Sequence, residues 1–329
     1  MNITELKKQI IYWARLLNER GFVTARSGNI SCRLEDKILM TSHDSYLGQL
    51  EEDEIVLLDS KGAIIEGEKE PTSEKPLHLG IMEHIDEAKV IIHAHSPFTT
   101  AYFHYFKKLD IFSFEAKFYL GEIKVIPQSG PTVTDINPVI EELMNNNIVV
   151  LGNHGVVAIG KDFKSAFSLV ELLEEQSKIN LMFSGKTKDS PCVEEDKQQI
   201  EHVEKSYFMF SQEHIQTIKD IINNDTQAQE LGKKHDLTCS LCVKDIDAKQ
   251  AVCFYYQQGK ITNTDNNPEA EFIIAGSTDI LKKIFNCKID PFVAVTQGKV
   301  KTKGDINKIS QWYPALTRTF KLWEQVKVV

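Results

Sequence analysis

The chain has no apolar run of the length a membrane-spanning helix needs, about 18 consecutive apolar residues or more. It also lacks an excess of basic charge: 38 Lys and Arg face 47 Asp and Glu, a net charge of −9. That argues against a nucleic-acid binder, for which a basic face is expected. It leaves an anionic substrate open, because local donors outweigh net charge. Cysteine is sparse, six in 329 residues and mostly scattered, which fits a reducing cytoplasm rather than a disulfide framework. The single CxxC, Cys239-Ser240-Leu241-Cys242, lies in a stretch that reads as a strand. A redox CxxC opens a helix and a zinc ribbon needs a second pair, so these cysteines are expected to be core packing. The start Met1-Asn2-Ile3-Thr4-Glu5 lacks the basic residues and apolar centre of a secretory leader. With 42% hydrophobic and 26% charged residues the chain can build a packed core, and its length predicts two domains.

What is present centres on Val90-Ile91-Ile92-His93-Ala94-His95-Ser96. Three β-branched apolar residues in succession predict a buried strand. Side chains alternate faces along a strand, so His93 and His95 point the same way. Two imidazoles on one face form half of a metal site, and zinc accepts imidazole nitrogen in sets of three or four protein ligands. A third imidazole, His154, follows the run Val149-Val150-Leu151 in the turn Gly152-Asn153-His154-Gly155, where a side chain can leave the plane of a sheet. Glu70-Pro71-Thr72-Ser73-Glu74-Lys75-Pro76 leads into a helix with Leu77, Ile81 and Ile85 on one face, with Ser73 as its expected N-cap. Ala25-Arg26-Ser27-Gly28-Asn29-Ile30 is a turn into a strand, and Gly28 permits a backbone that aims its amides at an anion. Past His154 a long helix carries Ala166, Leu169, Val170 and Leu173 on one side, and Glu171, Glu174 and Glu175 read as its solvated face. His78, His84 and His104 read as surface or satisfied packing histidines.

Thr72-Ser73-Glu74, His93-Ala94-His95-Ser96 and Asn153-His154-Gly155, in this order and on these flanking strands, resemble the motifs of the class II aldolase/adducin family. The resemblance implies a layered α/β domain over residues 1–185, with a central, mostly antiparallel sheet flanked by helices. It implies Zn2+, or another divalent metal, on His93, His95 and His154. Glu74 is then a ligand of the empty site and the general acid/base once substrate binds. Gly28, Asn29, Thr72 and Ser73 would bind a substrate phosphate. The family also implies a homo-oligomer, a tetramer with active sites between subunits. Two departures stand out. His43-Asp44 occupies a loop that usually offers a small hydroxyl residue and glycine to phosphate, and a carboxylate there repels an anion. Phe114 stands where the aldolases carry a proton-donating tyrosine, and phenylalanine cannot transfer a proton.

Residues 186–209 are polar and charged and read as a linker. From about Ser211 the pattern restarts as a smaller α+β domain over residues 210–329. Its later part, with Gln297-Gly298-Lys299-Val300-Lys301 read as a strand, then Gly304-Asp305 and an apolar helix, resembles the sterol-carrier-protein lipid-transfer domain. That resemblance implies a small sheet with helices over an apolar tunnel for an acyl chain or sterol. Phe254, Tyr256, Phe272, Ile274, Phe285, Phe292, Trp312 and Phe320 are the candidate wall. The expectation for the whole is a cytoplasmic, zinc-dependent class II aldolase-like lyase. It would make or break a carbon–carbon bond in a small hydroxy-carbonyl, sugar-phosphate-like substrate through an enediolate. The alternatives are an epimerase or dehydratase on the same scaffold, or a non-enzymatic adducin-like or lipid-binding protein.

Overall fold

The computed structural model describes residues 2–130, 132–183, 206–267 and 269–329. The chain divides into two compact units, Met1–Ser190 and Pro191–Val329. Nearly all of the expected linker at 186–209 lies outside the described residues. No described helix is long and apolar enough to cross a membrane.

The first unit is an eight-stranded sheet between two layers of helices. In chain order its elements are α1 (Ile3–Glu19), β1 (Asn29–Leu34), β2 (Lys37–Thr41), β3 (Ile55–Asp59), β4 (Ile64–Glu66), α2 (Lys75–His84), β5 (Val90–Ala94), α3 (Pro97–Tyr105), α4 (Phe114–Tyr119), β6 (Val125–Ile126), α5 (Asn137–Leu143), β7 (Ile148–Leu151), β8 (Gly155–Gly160) and α6 (Phe163–Phe183). The strand order is β4-β3-β2-β1-β5-β8-β7-β6, antiparallel throughout except for the β6–β7 edge. Strand periodicity divides the core in two. Val90, Ile92, Ala94, Val150, Val156 and Ala158 pack against α1 and α6, while Ile91, Val149, Leu151, Val157 and Ile159 pack with Leu77 and Ile81 of α2 and Val139 and Ile140 of α5. Both faces are covered, which is why these strands read as continuous apolar runs rather than as alternation. His93 shares the odd-numbered face of β5, so it is aimed at the layer that contains the start of α2.

Two sequence expectations are corrected here. Ser73 is not the cap of α2. Glu74 occupies the N-cap position and makes no side-chain capping bond, while its own amide donates to Thr72 Oγ1 at 3.3 Å. Nor does Glu174 belong to a solvated face. It is 6% exposed, and its carboxylate accepts from Phe98 N (2.9 Å), Thr99 N (2.8 Å) and Thr99 Oγ1 (2.8 Å). It therefore satisfies the first turn of α3, whose N-cap Ser96 makes no capping bond. Farther along α6, Gln176 Oε1 accepts from Phe112 N at 2.8 Å, and Asn180 donates to Asp110 O at 2.8 Å. A buried polar edge of α6 thus fixes the start of α3 and the approach to α4.

The second unit holds α7 (Gln212–Asn224), α8 (Thr226–Lys234), β9 (Cys239–Asp245), β10 (Gln250–Gln257), β11 (Lys260–Asp265), β12 (Phe272–Gly276), α9 (Thr278–Phe285), α10 (Pro291–Thr296), β13 (Lys301–Lys303) and α11 (Ile306–Leu322). The sheet order is β11-β10-β9-β12-β13, with β9 and β12 parallel. Residues expected as a strand at 297–301 are instead the exit of α10, with Gly298 at φ +72°, and β13 starts only at Lys301. Cys242 is not simple packing: it faces Cys253 across the β9–β10 ladder and the two form a disulfide. Of the candidate wall, Phe254, Tyr256, Phe272, Phe285, Phe292, Trp312 and Phe320 are buried. Arg318 of α11 clamps Asp225, the N-cap of α8, through two bonds of 3.0 and 2.6 Å.

Candidate metal centre and cleft

The site starts from the end of β5. His93 is the fourth residue of that strand and His95 follows it directly, so the pleat brings both rings to one side, with Nε2 atoms 2.9 Å apart. The third ring arrives through the β7–β8 hairpin. Asn153 takes the left-handed conformation (φ +57°) that turns the chain. Gly155 then passes so close to β5 that a Cβ would stand 2.3 Å from Ala94 O. Only glycine fits there, and this close approach sets His154 beside His95. The three rings form a near-equilateral triangle, with centroids 4.8, 4.7 and 4.7 Å apart. One nitrogen from each lies within 4.8 Å of the others.

The protonation pattern suits a cation. His93 Nδ1 lies 3.0 Å from Val156 O, and a carbonyl only accepts, so the proton sits on Nδ1 and Nε2 keeps its lone pair. Burial, and then the neighbouring imidazoles, push the His93 and His95 pKa values down to about 3. His154 is lowered by burial too, against the attraction of Glu74. Glu74 Oε2 lies 3.4 Å from His93 Nε2. Its carboxyl is raised by burial, opposed by His154, the Val133 amide and the Asn29 side chain. Glu74 Oε2 and His154 Nδ1 are both buried and unpartnered. A proton shared by His93 and His95 would satisfy that pair and leave Glu74 Oε2 and His154 without partners. One divalent cation meets the demand of the whole set, which is the donor chemistry of zinc and its neighbours.

A cleft of about 510 Å³ opens beside this centre, walled by His95, Pro97, Thr100, His104, Asn153 and His154 among others. Sequence reasoning passed over His104. Its Nδ1 is 2.6 Å from Asn153 Oδ1, so the imidazole lies along the cleft wall with Nδ1–H donating to the amide oxygen. The signal that would have found it is helical: His104 lies two turns beyond Pro97 on α3, the helix that starts just after His95.

The residues expected to bind phosphate divide. Gly28, at φ +79°, backs directly onto β5, where a Cβ would stand 2.9 Å from His93 O. Thr72 is buried and holds the Glu74 amide, and Ser73 is exposed. Asn29 is 7% exposed and its Oδ1 is taken by His78. Asp44, in the departing loop, pairs with Arg26 at 3.2 Å and lies 3.8 Å from His43. Phe114 is 69% exposed, one of a belt of exposed aromatics with Phe98, Tyr105, Phe106, Phe112 and Tyr119.

The model of the class II aldolase and adducin N-terminal domain matches residues 8–181. The chain belongs to this family. Residues 216–316 match the SCP-2 sterol transfer family. A class II aldolase relative, the L-fuculose phosphate aldolase of Methanocaldococcus jannaschii, is 37% identical over 180 residues, covering 54% of this chain and 96% of that protein. The 3-oxo-tetronate 4-phosphate decarboxylase of Haemophilus influenzae is 33% identical over 190 residues, covering 54% and 88%. Among solved structures, a sugar-phosphate aldolase from Thermotoga maritima superposes with a TM-score of 0.51 at 26% identity, covering 56% of this chain and 98% of that one. These relatives support an enzyme of the class II aldolase family, and the SCP-2 match adds a second domain after the part they cover.

Proposed function

We propose that the first unit is a zinc-dependent carbon–carbon lyase acting on a small hydroxy-carbonyl, sugar-phosphate-like substrate. The observation that carries this reading is the meeting of three neutral imidazoles and one buried carboxylate, its Oε2 unpartnered, beside an open cleft. His93, His95 and His154 would hold the ion. When bound, the metal supplies a Lewis acid for negative charge developing on a substrate carbonyl oxygen. Glu74 carries the proton: burial raises its affinity for one, and its free Oε2 sits at the same centre. His104 and Thr100 offer polar contacts along the cleft to substrate hydroxyls. Gly28, through its backbone, and Ser73 remain the candidates for an anionic end group, with Arg26 the nearby cation. The aldolase and decarboxylase relatives share one chemical demand. A bond to the carbon next to a carbonyl breaks, and its electrons pass to the carbonyl oxygen. The same demand favours a lyase over an adducin-like scaffold. We further propose a cytoplasmic homo-oligomer that buries the aromatic belt around Phe114, and a second unit that takes an acyl or sterol-like lipid.

The test uses the full chain loaded with zinc. Two probes are offered: L-fuculose 1-phosphate, read as aldehyde release, and 3-oxo-tetronate 4-phosphate, read as carbon dioxide release. The expected result is one zinc per chain and turnover of one probe. Turnover should be abolished by chelator and by His93→Ala, and KM raised about tenfold or more by His104→Ala, the loss of one substrate hydrogen bond. Absence of stoichiometric metal in the folded wild-type protein would overturn the proposal.

A further inference from the structure

The two carboxylate oxygens of Glu74 have different surroundings. Oε2 lies 3.4 Å from His93 Nε2 and has no hydrogen-bond partner. Oε1 accepts the main-chain N–H of Val133 at 3.4 Å. Val133 stands 59 residues further along the chain, shortly before α5.

Nothing on α2 itself holds this carboxylate. Glu74 is the N-cap residue, yet its side chain makes no capping bond. A glutamate side chain is rich in rotamers and settles only against a fixed partner. The Val133 amide is such a partner. The residue is 7% exposed and belongs to the core cluster that joins Leu77 and Ile81 of α2 to Val139 and Ile140 of α5. Its β-branched side chain has little rotamer freedom, so anchoring it steadies the main chain that carries the N–H. The approach to α5 lies close on α2 because Gly80 has no side chain: a Cβ there would stand 2.6 Å from Ile136 Cδ1. Among the described residues no main-chain carbonyl takes the Val133 amide. A buried N–H needs an acceptor, and Oε1 is the one it has.

We infer that Val133 is a positioning residue for Glu74: its amide holds Oε1 on the core side so that Oε2 faces His93. This rests on the reading of Glu74 as the proton carrier. The two oxygens of a carboxylate are rigidly joined, so fixing one aims the other. At 3.4 Å the bond is long for an amide and an oxygen. Hydrogen bonds of catalytic groups are commonly long in an empty site and tighten once substrate is bound. A main-chain N–H only donates, so a proton taken up by Glu74 goes to Oε2, on the side where the imidazoles stand.

The experiment uses the zinc-loaded full chain. The decisive variant replaces Val133 by its α-hydroxy acid, which turns the amide into an ester and removes the N–H with the side chain intact. The same exchange at the exposed Thr134 is the control. On L-fuculose 1-phosphate or 3-oxo-tetronate 4-phosphate, whichever turns over, the Val133 ester should lose about tenfold in kcat, the weight of one hydrogen bond to a charged group. Its KM and zinc content should stay within about twofold, and the Thr134 ester should match wild type in all three. Val133→Ala keeps the N–H and loses packing, so it should lose stability in urea and less of kcat. By amide NMR the Val133 N–H should exchange slowly with or without zinc, and Glu74→Ala should speed it about tenfold or more. Exchange within about threefold of wild type in Glu74→Ala overturns the inference whether or not either probe turns over, as does a Val133 ester with full kcat. If the ester protein does not fold, or neither probe turns over, the Val133 amide in wild type and Glu74→Ala decides. Glu74→Ala with full kcat sinks the proton-carrier reading and leaves the amide contact standing. An inactive Glu74→Ala beside a fully active Val133 ester sinks the positioning claim alone.

Discussion

Glu174 provides the sharpest quantitative test of how the site is held. Its carboxylate takes two backbone amides and one hydroxyl at the start of α3, two residues beyond His95. Glu174→Ala leaves those three donors without a partner. Thr99 is fully buried, so its amide and hydroxyl gain no water, at about 1–3 kcal/mol each. Phe98 is 39% exposed, and its amide recovers part of the loss. Counting about 1 kcal/mol for each Thr99 donor and about 1 kcal/mol for the lost helix cap gives roughly 3 kcal/mol. Read locally, that is about a 100-fold rise in amide hydrogen exchange at Phe98 and Thr99. Glu174→Gln keeps one acceptor oxygen and should give about tenfold. The assay is hydrogen exchange on the metal-loaded full chain, with zinc affinity measured alongside, because fraying of α3 releases Ser96 and with it His95. Exchange at Phe98 and Thr99 within threefold of wild type in Glu174→Ala would show that the first turn of α3 does not depend on this carboxylate.

Two further outcomes follow from geometry already described. Gly155→Ala puts a methyl group against Ala94 O and should destabilise the first unit by about 1–3 kcal/mol in urea unfolding, while weakening zinc binding by moving His154 away from His95; unchanged metal affinity would show that the hairpin's close approach does not set the ring triangle. His78 and His93 are buried and neutral with pKa values near 3, against about 6.5 when unfolded, so between those values the unfolded chain holds more protons. Stability of the metal-free protein is therefore full above pH 6.5 and should fall as pH drops, by about 1.4 kcal/mol per pH unit per histidine; a flat unfolding profile from pH 7 to 5 would contradict their burial.

The grouping of the three imidazoles was legible because each of its parts obeys a local rule. His93 and His95 declare a shared face through the two-residue period of a strand, and Gly155 marks the close approach that delivers His154. The double-sided sheet was legible in runs such as Val149-Val150-Leu151. What escaped depends on partners far along the chain. Glu174 has the surroundings of a solvated helix face, and only the arrival of α3 some 75 residues earlier in sequence makes it a buried cap. Cys242 reads as packing until β10 sets Cys253 opposite it. The second unit's β11, with its polar Lys-Ile-Thr-Asn-Thr-Asp sequence, carries little periodicity of its own. His78 was read as a satisfied histidine, and it is; what the sequence concealed was the identity of the groups it satisfies.

Asn153 divides its labour between main chain and side chain. Its left-handed backbone makes the hairpin, while its carboxamide reaches across to His104 and sets one wall of the cleft. Glycine would make the same turn and leave that wall bare. The shape of the compartment beside the three imidazoles therefore hangs on this single side chain, whereas the imidazoles themselves do not.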